Sequence, residues 1–247
     1  MSTLGNSQVE PGVYRSMPDA DYRAIDALSN SDLMAWAKGE GANTIDPRNA
    51  VFGTAFHAIV LEPDVASAKL VGLEPKQKRK DYDGPEDALV LTNSDYKKLM
   101  GCYDSVKGHP QLGKLMEMAR ADRDRCELVV VWIDELTGIK CKAKIDQVTD
   151  NYVWDWKTTN SDPDGFGYSI GAFMYHAQAA HYLIGAKACS LGPDKFRFAC
   201  ASKRADKGHV CWVQGVDTSL MCAGFKTREI LMSLYAKHGK EQTNENL

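Results

Sequence analysis

The chain has 247 residues, of which 44% are hydrophobic and 26% charged, and a formal net charge of -3. This is the balance of a globular chain, and it excludes a disordered polymer, a fibrous repeat and a disulfide-stapled peptide. It also excludes the global cationic excess of a dedicated duplex binder, so any contact with DNA has to rest on locally placed positive charge.

In chain order, Ser29 is placed to cap a short helix from about Asn30 to Lys38, with Asp32 at the capping-box position and Gly39 just past the end. A second helix is expected from about Asn49 to Leu61, stopped by Pro63. Residues 69–90 read as an exposed loop in which the basic run Lys76, Lys78, Arg79 and Lys80 meets a run of acids. A third helix, about Asn93 to Lys107, is capped by Thr92 and ended by Gly108 and Pro110. The period then becomes two. Glu127–Ile133 and Ile139–Asp146 flank a turn at Asp134–Gly138 and form a hairpin. Tyr152 to Thr158 is a third strand, with Tyr152, Trp154 and Trp156 on one face and Val153, Asp155 and Lys157 on the other. A helix over about Ala172 to Ile184, strands over Lys195–Ser202 and His209–Val216, and a last helix from about Ser219 to Lys237 follow, before a polar, fraying tail. This order predicts an α/β fold with a mixed central sheet flanked by helices, in one domain spanning 1–247, with a helical N-terminal region to about 110 and a core over about 111–238.

The chemistry concentrates on Lys144-Ile-Asp146 and Asp155-Trp-Lys157. Strand alternation puts Asp155 and Lys157 on one face, about 6.5 to 7 Å apart along the backbone, close enough to serve one small site. A carboxylate that ligates a divalent metal beside an ammonium that offsets phosphate charge suits phosphoryl chemistry. The hairpin brings Glu127 roughly opposite Asp146, a placement that a slip of one residue would undo. Clustered carboxylates repel one another, and a bound cation removes that cost. Taken alone, Asp155 and Lys157 read as an ordinary surface pair; the surrounding sequence changes that.

Asp146, then Asp155-Trp-Lys157, with Gly53-Thr-Ala-Phe-His57 upstream and Gln178-Ala-Ala-His-Tyr182 downstream, resembles the PD-(D/E)XK nuclease superfamily. Gly12-Val-Tyr, Leu28-Ser-Asn-Ser-Asp-Leu33 and His57-Ala-Ile-Val-Leu-Glu-Pro63 direct the resemblance to its RecE-type, exonuclease VIII-like branch, with the RecB nuclease domain and the lambda-type exonuclease more distant. The resemblance implies a restriction-endonuclease-like core, a metal site of Asp146, Asp155 and His57 assisted by Glu127, and Lys157 as the catalytic lysine. It implies that Gln178 and Tyr182 border the active site and the DNA backbone, and that Ser29 and Ser31 bind a 5′ phosphate, although Ser29 is equally a helix cap. Lys76, Lys78, Arg79 and Lys80 would track the DNA backbone electrostatically. Ile145 stands where the superfamily name has proline. The implied activity is a Mg²⁺-dependent 5′-to-3′ exonuclease, with Mn²⁺ able to substitute and one or two ions bound. It would digest linear double-stranded DNA to 3′ overhangs for recombination, as a ring-forming homo-oligomer with a single-strand annealing recombinase as partner, encoded by a phage or prophage in a bacterial host. A different endonuclease or flap nuclease, and a non-catalytic DNA-binding scaffold, are the alternatives.

Other chemistries find less support. Gly53 and His57 are i,i+4, a spacing in which the glycine would let a neighbouring element approach the histidine's face. His176 and His181 are five apart and share no clean helical face, so a zinc site is not expected. Cys189, Cys200, Cys211 and Cys222 recur every eleven residues but lack the short spacings of iron–sulfur motifs, so no cluster is expected. Without a phosphate loop no nucleotide cofactor is expected. Seven cysteines with no close pair, no leader and no apolar run near 18 residues predict a cytoplasmic setting without a membrane partner.

Overall fold

The computed structural model describes residues 9–39 and 46–242, and in them the hydrophobic period and the capping residues set most elements where they were expected. Strand β1 (Gly12–Tyr14) leads into helices α1 (Asp19–Ala24), α2 (Asn30–Ala37), α3 (Pro47–Leu61) and α4 (Pro63–Lys69). Strands β2 (Leu70–Gly72) and β3 (Leu89–Leu91) precede helices α5 (Asn93–Gly108) and α6 (Pro110–Ala121). Next come β4 (Cys126–Ile133), β5 (Lys140–Val148) and β6 (Tyr152–Thr159), then α7 (Pro163–Ala172) and α8 (Tyr175–Ala188), β7 (Lys195–Ser202), β8 (Cys211–Gly215) and α9 (Thr218–Gln242). The polar tail expected after Lys237 is still part of α9 as far as Gln242, and the rest of it lies outside the described residues.

The differences have local causes. α3 ends at Leu61 and α5 at Gly108, just before the prolines as expected, but Pro63 and Pro110 are each also the first residue of a new helix, a position where the missing N–H has no partner to lose. The 69–90 segment is exposed around its basic run, yet its ends form β2 and β3, which pair in parallel through Leu70↔Leu89. The helix expected over 172–184 is α8, which starts only at Tyr175 because Met174 adopts a left-handed conformation (φ 53°) that no helix can carry through; α7, which was not expected, precedes it. His209, also left-handed (φ 53°), delays β8 to Cys211.

The main sheet runs β1-β4-β5-β6-β7-β8, with β6 and β7 parallel and the other neighbours antiparallel. One core joins Leu128, Val130, Ile145 and Phe198 of the sheet to Leu33, Phe166, Ala177 and Met232 of α2, α7, α8 and α9. The other joins Trp154, Trp156 and Ala199 to Phe52, Phe56, Leu99 and Leu112 of α3, α5 and α6. Trp36 meets Tyr235 edge-on at 5.2 Å and packs, partly buried, against the first core. Among the described residues no helix is long and apolar enough to cross a membrane.

Helices α8 and α9 meet backbone to side-chain-free backbone: a Cβ on Gly224 would collide with the His176 carbonyl. Gly224→Ala is therefore expected to cost about 1–3 kcal/mol and several degrees of Tm in thermal unfolding. An unchanged Tm would show that the pair of helices yields freely.

Beneath this contact His181 is fully buried, its Nε2–H donating to the Lys142 carbonyl at 3.2 Å and its Nδ1 accepting from Arg228 at 3.1 Å. Arg228 in turn pairs with buried Asp134 at 2.7 Å, and Asp134 holds the hairpin turn through Thr137. Burial, followed by the Arg228 charge, depresses His181 to about 3. An unfolded histidine takes up its proton below about pH 6.5, so stability is complete above that pH and falls as pH drops toward 3. Denaturant unfolding at pH 7.5 and at pH 5 should show this loss, and His181→Gln should shrink it; equal pH slopes in the two proteins would remove His181 from the account.

A candidate metal centre where two strands part

The site forms where β5 and β6 stop pairing. Their ladder holds at Gln147↔Trp154 and Val148↔Val153 and goes no further. Thr149 N–H bonds the Tyr152 carbonyl, and the two-residue repeat turns the backbone groups of Trp154 and Trp156 to that same edge. With β5 withdrawn, side chains take the Trp156 groups. Its N–H donates to Asp146 Oδ2 at 2.6 Å and its carbonyl accepts from His57 Nε2 at 2.8 Å. The Trp156 indole donates to Gln147, whose amide donates to the Leu115 carbonyl, so the position is fixed from the core side as well.

The hairpin pairs Cys126↔Gln147 and Leu128↔Ile145, which sets Glu127 opposite Asp146 as the sequence suggested. What the sequence did not reveal is that alternation breaks at both positions. Ile145 and Val148 enter the same core although they are three apart, and Cys126 and Leu128 enter opposite cores although they are two apart. Glu127 absorbs the break with a left-handed φ of 49°. The two acids thereby meet His57, which reaches down from α3. His57 Nδ1 lies 3.3 Å from Glu127 Oε1, and His57 Nε2 lies 3.7 Å from Asp146 Oδ2. Among the described residues His57, Glu127 and Asp146 form a group whose ligand atoms all lie within 4.8 Å of one another.

Two acceptors facing both ring nitrogens make His57 an imidazolium. Burial works against that charge, but Asp146 and Glu127 outweigh it and raise His57 to about 10. Burial, with Asp155 and Glu127 adding to it and His57 opposing, pushes Asp146 up to about 7. Burial also opposes ionisation of Glu127, yet His57 and Lys144 hold it below the usual carboxylate range. One nitrogen and two carboxylates gathered at such cost fit a divalent cation, whose charge would replace that of the imidazolium.

Asp155 is buried beside this group but is held by others. Lys157 Nζ lies 3.0 and 2.8 Å from its two oxygens, and Gln178 Nε2 donates to it at 3.1 Å. Gln178 also donates to the Tyr182 hydroxyl at 3.0 Å, so the i,i+4 pair on α8 does border the site. Three partners had been given no role from the sequence. Lys144 bridges Glu127 and Asp19 at 2.8 Å each, which ties α1 to the site, while Lys142 donates to the carbonyls of Tyr22, Arg23 and Ile25 at the other end of that helix. The Tyr175 ring lies 4.9 Å from Lys157 Nζ. Alternation on β5 could have flagged Lys144, which is two residues before Asp146; nothing in the sequence flags Tyr175.

Other expected residues are placed elsewhere. Ser29 completes a capping box with Asp32, and Ser31 is exposed on α2. Lys76, Lys78, Arg79 and Lys80 are exposed on the loop between β2 and β3, which shares no element with the metal ligands. Gly53 faces open space, so it serves no close approach. Cys200 is buried and Cys222 exposed, on different elements.

Over residues 20–244 the chain matches the family described as PDDEXK-like domain of unknown function (DUF3799). The chain belongs to that family. Its fold is also that of a crystal structure described as a "Putative exonuclease" from Eubacterium rectale, with a TM-score of 0.56 and 15% identity over 83% of this chain and 73% of that one. Comparison with curated proteins gives no match. The chain is thus a PDDEXK-like, nuclease-type fold carrying a candidate divalent-cation triad.

A divalent cation should raise the Tm of this PDDEXK-like protein by mass action, and Asp146→Asn or His57→Ala should abolish the rise. Because His57 keeps its proton up to about pH 10, cation and proton compete and affinity should weaken as pH is lowered. A cation shift that survives both substitutions would place the metal elsewhere.

Proposed function

We propose that the protein hydrolyses DNA phosphodiester bonds with a divalent cation, and the observation that carries this is the His57, Glu127 and Asp146 group at the parted strands, with Lys157 beside it. When bound, Mg²⁺, or Mn²⁺ in its place, as one or two ions, supplies Lewis acidity for phosphodiester chemistry. His57, Glu127 and Asp146 are the ligands this reading favours. Asp155 completes the acidic wall next to Asp146 and keeps Lys157 in position. Burial disfavours the Lys157 ammonium, but Asp155, then Tyr175 and Asp146, keep it protonated well above neutrality. It therefore acts as a fixed positive charge against the developing charge on the scissile phosphate and not as a proton acceptor. Gln178 holds the Asp155 carboxylate from α8, and its amide also donates to the Tyr182 hydroxyl.

The finer reading rests on the resemblance of Leu28–Leu33 and of the His57 segment to the RecE-type branch. It is a 5′-to-3′ exonuclease that enters linear duplexes at their ends and leaves 3′ overhangs for recombination, working as a ring with a single-strand annealing partner encoded by the same phage or prophage. Ser29 and Ser31 are the proposed contacts to the 5′ phosphate, and Lys76, Lys78, Arg79 and Lys80 the proposed backbone track.

Linear duplex labelled at one end or the other should be consumed with Mg²⁺, from the 5′ end, while covalently closed circles are spared. Lys157→Ala and Asp155→Ala should each lose about 10²- to 10³-fold in rate. Equal cutting of circles would replace the exonuclease by an endonuclease, and full activity in both variants would dismiss the site.

A further inference from the structure

The connection between α7 and α8 carries an aromatic ladder that leads from the core to the surface beside Lys157. Phe166 and Phe198, both fully buried, hold the Tyr175 ring from within at 6.1 and 5.8 Å. Tyr175 covers the Lys157 ammonium at 4.9 Å. Phe173 lies on Tyr175 with centroids 5.5 Å apart and planes inclined by only 31°, and it is 59% exposed. A lone exposed phenylalanine needs no explanation. Phe173 differs because its ring extends, into solvent, a stack that ends on the lysine of the site.

The backbone makes this arrangement deliberate. Phe173 ends α7, its N–H bonded to the Ser169 carbonyl at 3.0 Å, and Met174 then takes the left-handed conformation that starts α8. A left-handed non-glycine residue is strained and persists where its surroundings over-determine it. Here it lets consecutive odd residues diverge: Tyr175 turns inward over Lys157 and Phe173 outward. A continuous helix, as the sequence alone suggested, could not hold both rings in this relation.

We propose that Phe173 is a base-stacking platform that receives an unpaired nucleobase next to the phosphodiester held at Asp146 and Lys157, and so determines a preference for unpaired or frayed ends over fully paired ones. This rests on the nuclease reading above. Every base has a π-face, so the contact tolerates any sequence, and stacking of this kind is strong enough to shift binding measurably. The base must be unpaired and unstacked to offer a face to Phe173, while its phosphate turns toward Lys157, from which Phe173 is separated by the Tyr175 ring. Tyr175 gives the platform a rigid backing, which limits the ordering cost of binding.

The test is fluorescence anisotropy, in EDTA and at fixed salt, of linear duplexes with four unpaired nucleotides at one end, in 5′- and 3′-tailed versions. Each version has either thymidine or abasic residues in the tail. Wild type, Phe173→Ala, Phe173→Trp and, as an exposed aromatic control on α9, Phe225→Ala are compared. Wild type should lose roughly 5- to 150-fold in affinity when the thymines become abasic. Phe173→Ala should lose a similar factor on the thymine tail and be indifferent to the abasic change, Phe173→Trp should retain wild-type binding, and Phe225→Ala should match wild type. Undiminished binding of the thymine tail by Phe173→Ala, or equal losses on both tails, would overturn the platform and leave the nuclease reading standing. If wild type bound none of the duplexes and degraded none with Mg²⁺, the nuclease reading itself would fall, and the platform with it.

Discussion

A strand edge without a partner strand governs the rest of this molecule. The Trp156 N–H and carbonyl point to where β5 would continue, and an unpaired backbone polar group in such a place costs about as much as a lost hydrogen bond. The cost is offset by a carboxylate and an imidazole, with Asp146 accepting at 2.6 Å and His57 donating at 2.8 Å. The gap and the groups of the candidate metal centre that line it therefore come from one event. The same residue fastens the gap to the core, because the Trp156 side chain is 1% exposed and anchored through Gln147 to α6. Position is inherited from packing, which is denser and stiffer than any loop could be.

Charge then follows from position. Three ionisable groups sit within reach of one another and are largely screened from water, so the state of each depends on the others. His57 is held charged and Glu127 ionised, while Asp146 is left near neutrality. Lys144 extends this coupling outward to Asp19, and with Lys142 it clamps both ends of α1 against β5. The N-terminal segment is thereby connected to the acidic cluster by charge, while Ile25, Val129 and Val131 connect it to the sheet by packing.

Much of this was legible in the sequence. A period of two gave β4, β5 and β6, the turn length gave the register that opposes Glu127 to Asp146, and side-chain caps gave the starts of α2 and α5. The i,i+4 pair Gln178 and Tyr182 was legible as one face of a helix. The misses share a cause, which is that a periodic pattern cannot announce its own interruption. Glu127, Met174 and His209 are ordinary residues in left-handed backbone, where glycine or asparagine would have given a signal. Pro63 and Pro110 give the same letter whether they end one helix or begin the next, and only the packing of α4 and α6 decides between the two. Tyr175 was invisible for a related reason, since its contact with Lys157 exists only because the helix breaks before it.

The parallel pairing of β6 with β7 has one more implication. Parallel neighbours cannot be joined by a tight turn, so the chain has to make a long excursion over one face of the sheet before it can return. That obligatory detour is α7 and α8, and it begins just after Lys157. Whatever approaches the carboxylates from that side meets the detour first. Asp146, Asp155 and Trp156 sit on the strands themselves, while the detour supplies Gln178, which donates to Asp155, and Tyr175, whose ring covers Lys157. The surroundings of the candidate site are thus set partly by the ladder and partly by the crossing that parallel pairing requires, so a change in that crossing reaches Asp155 through Gln178 and Lys157 through Tyr175.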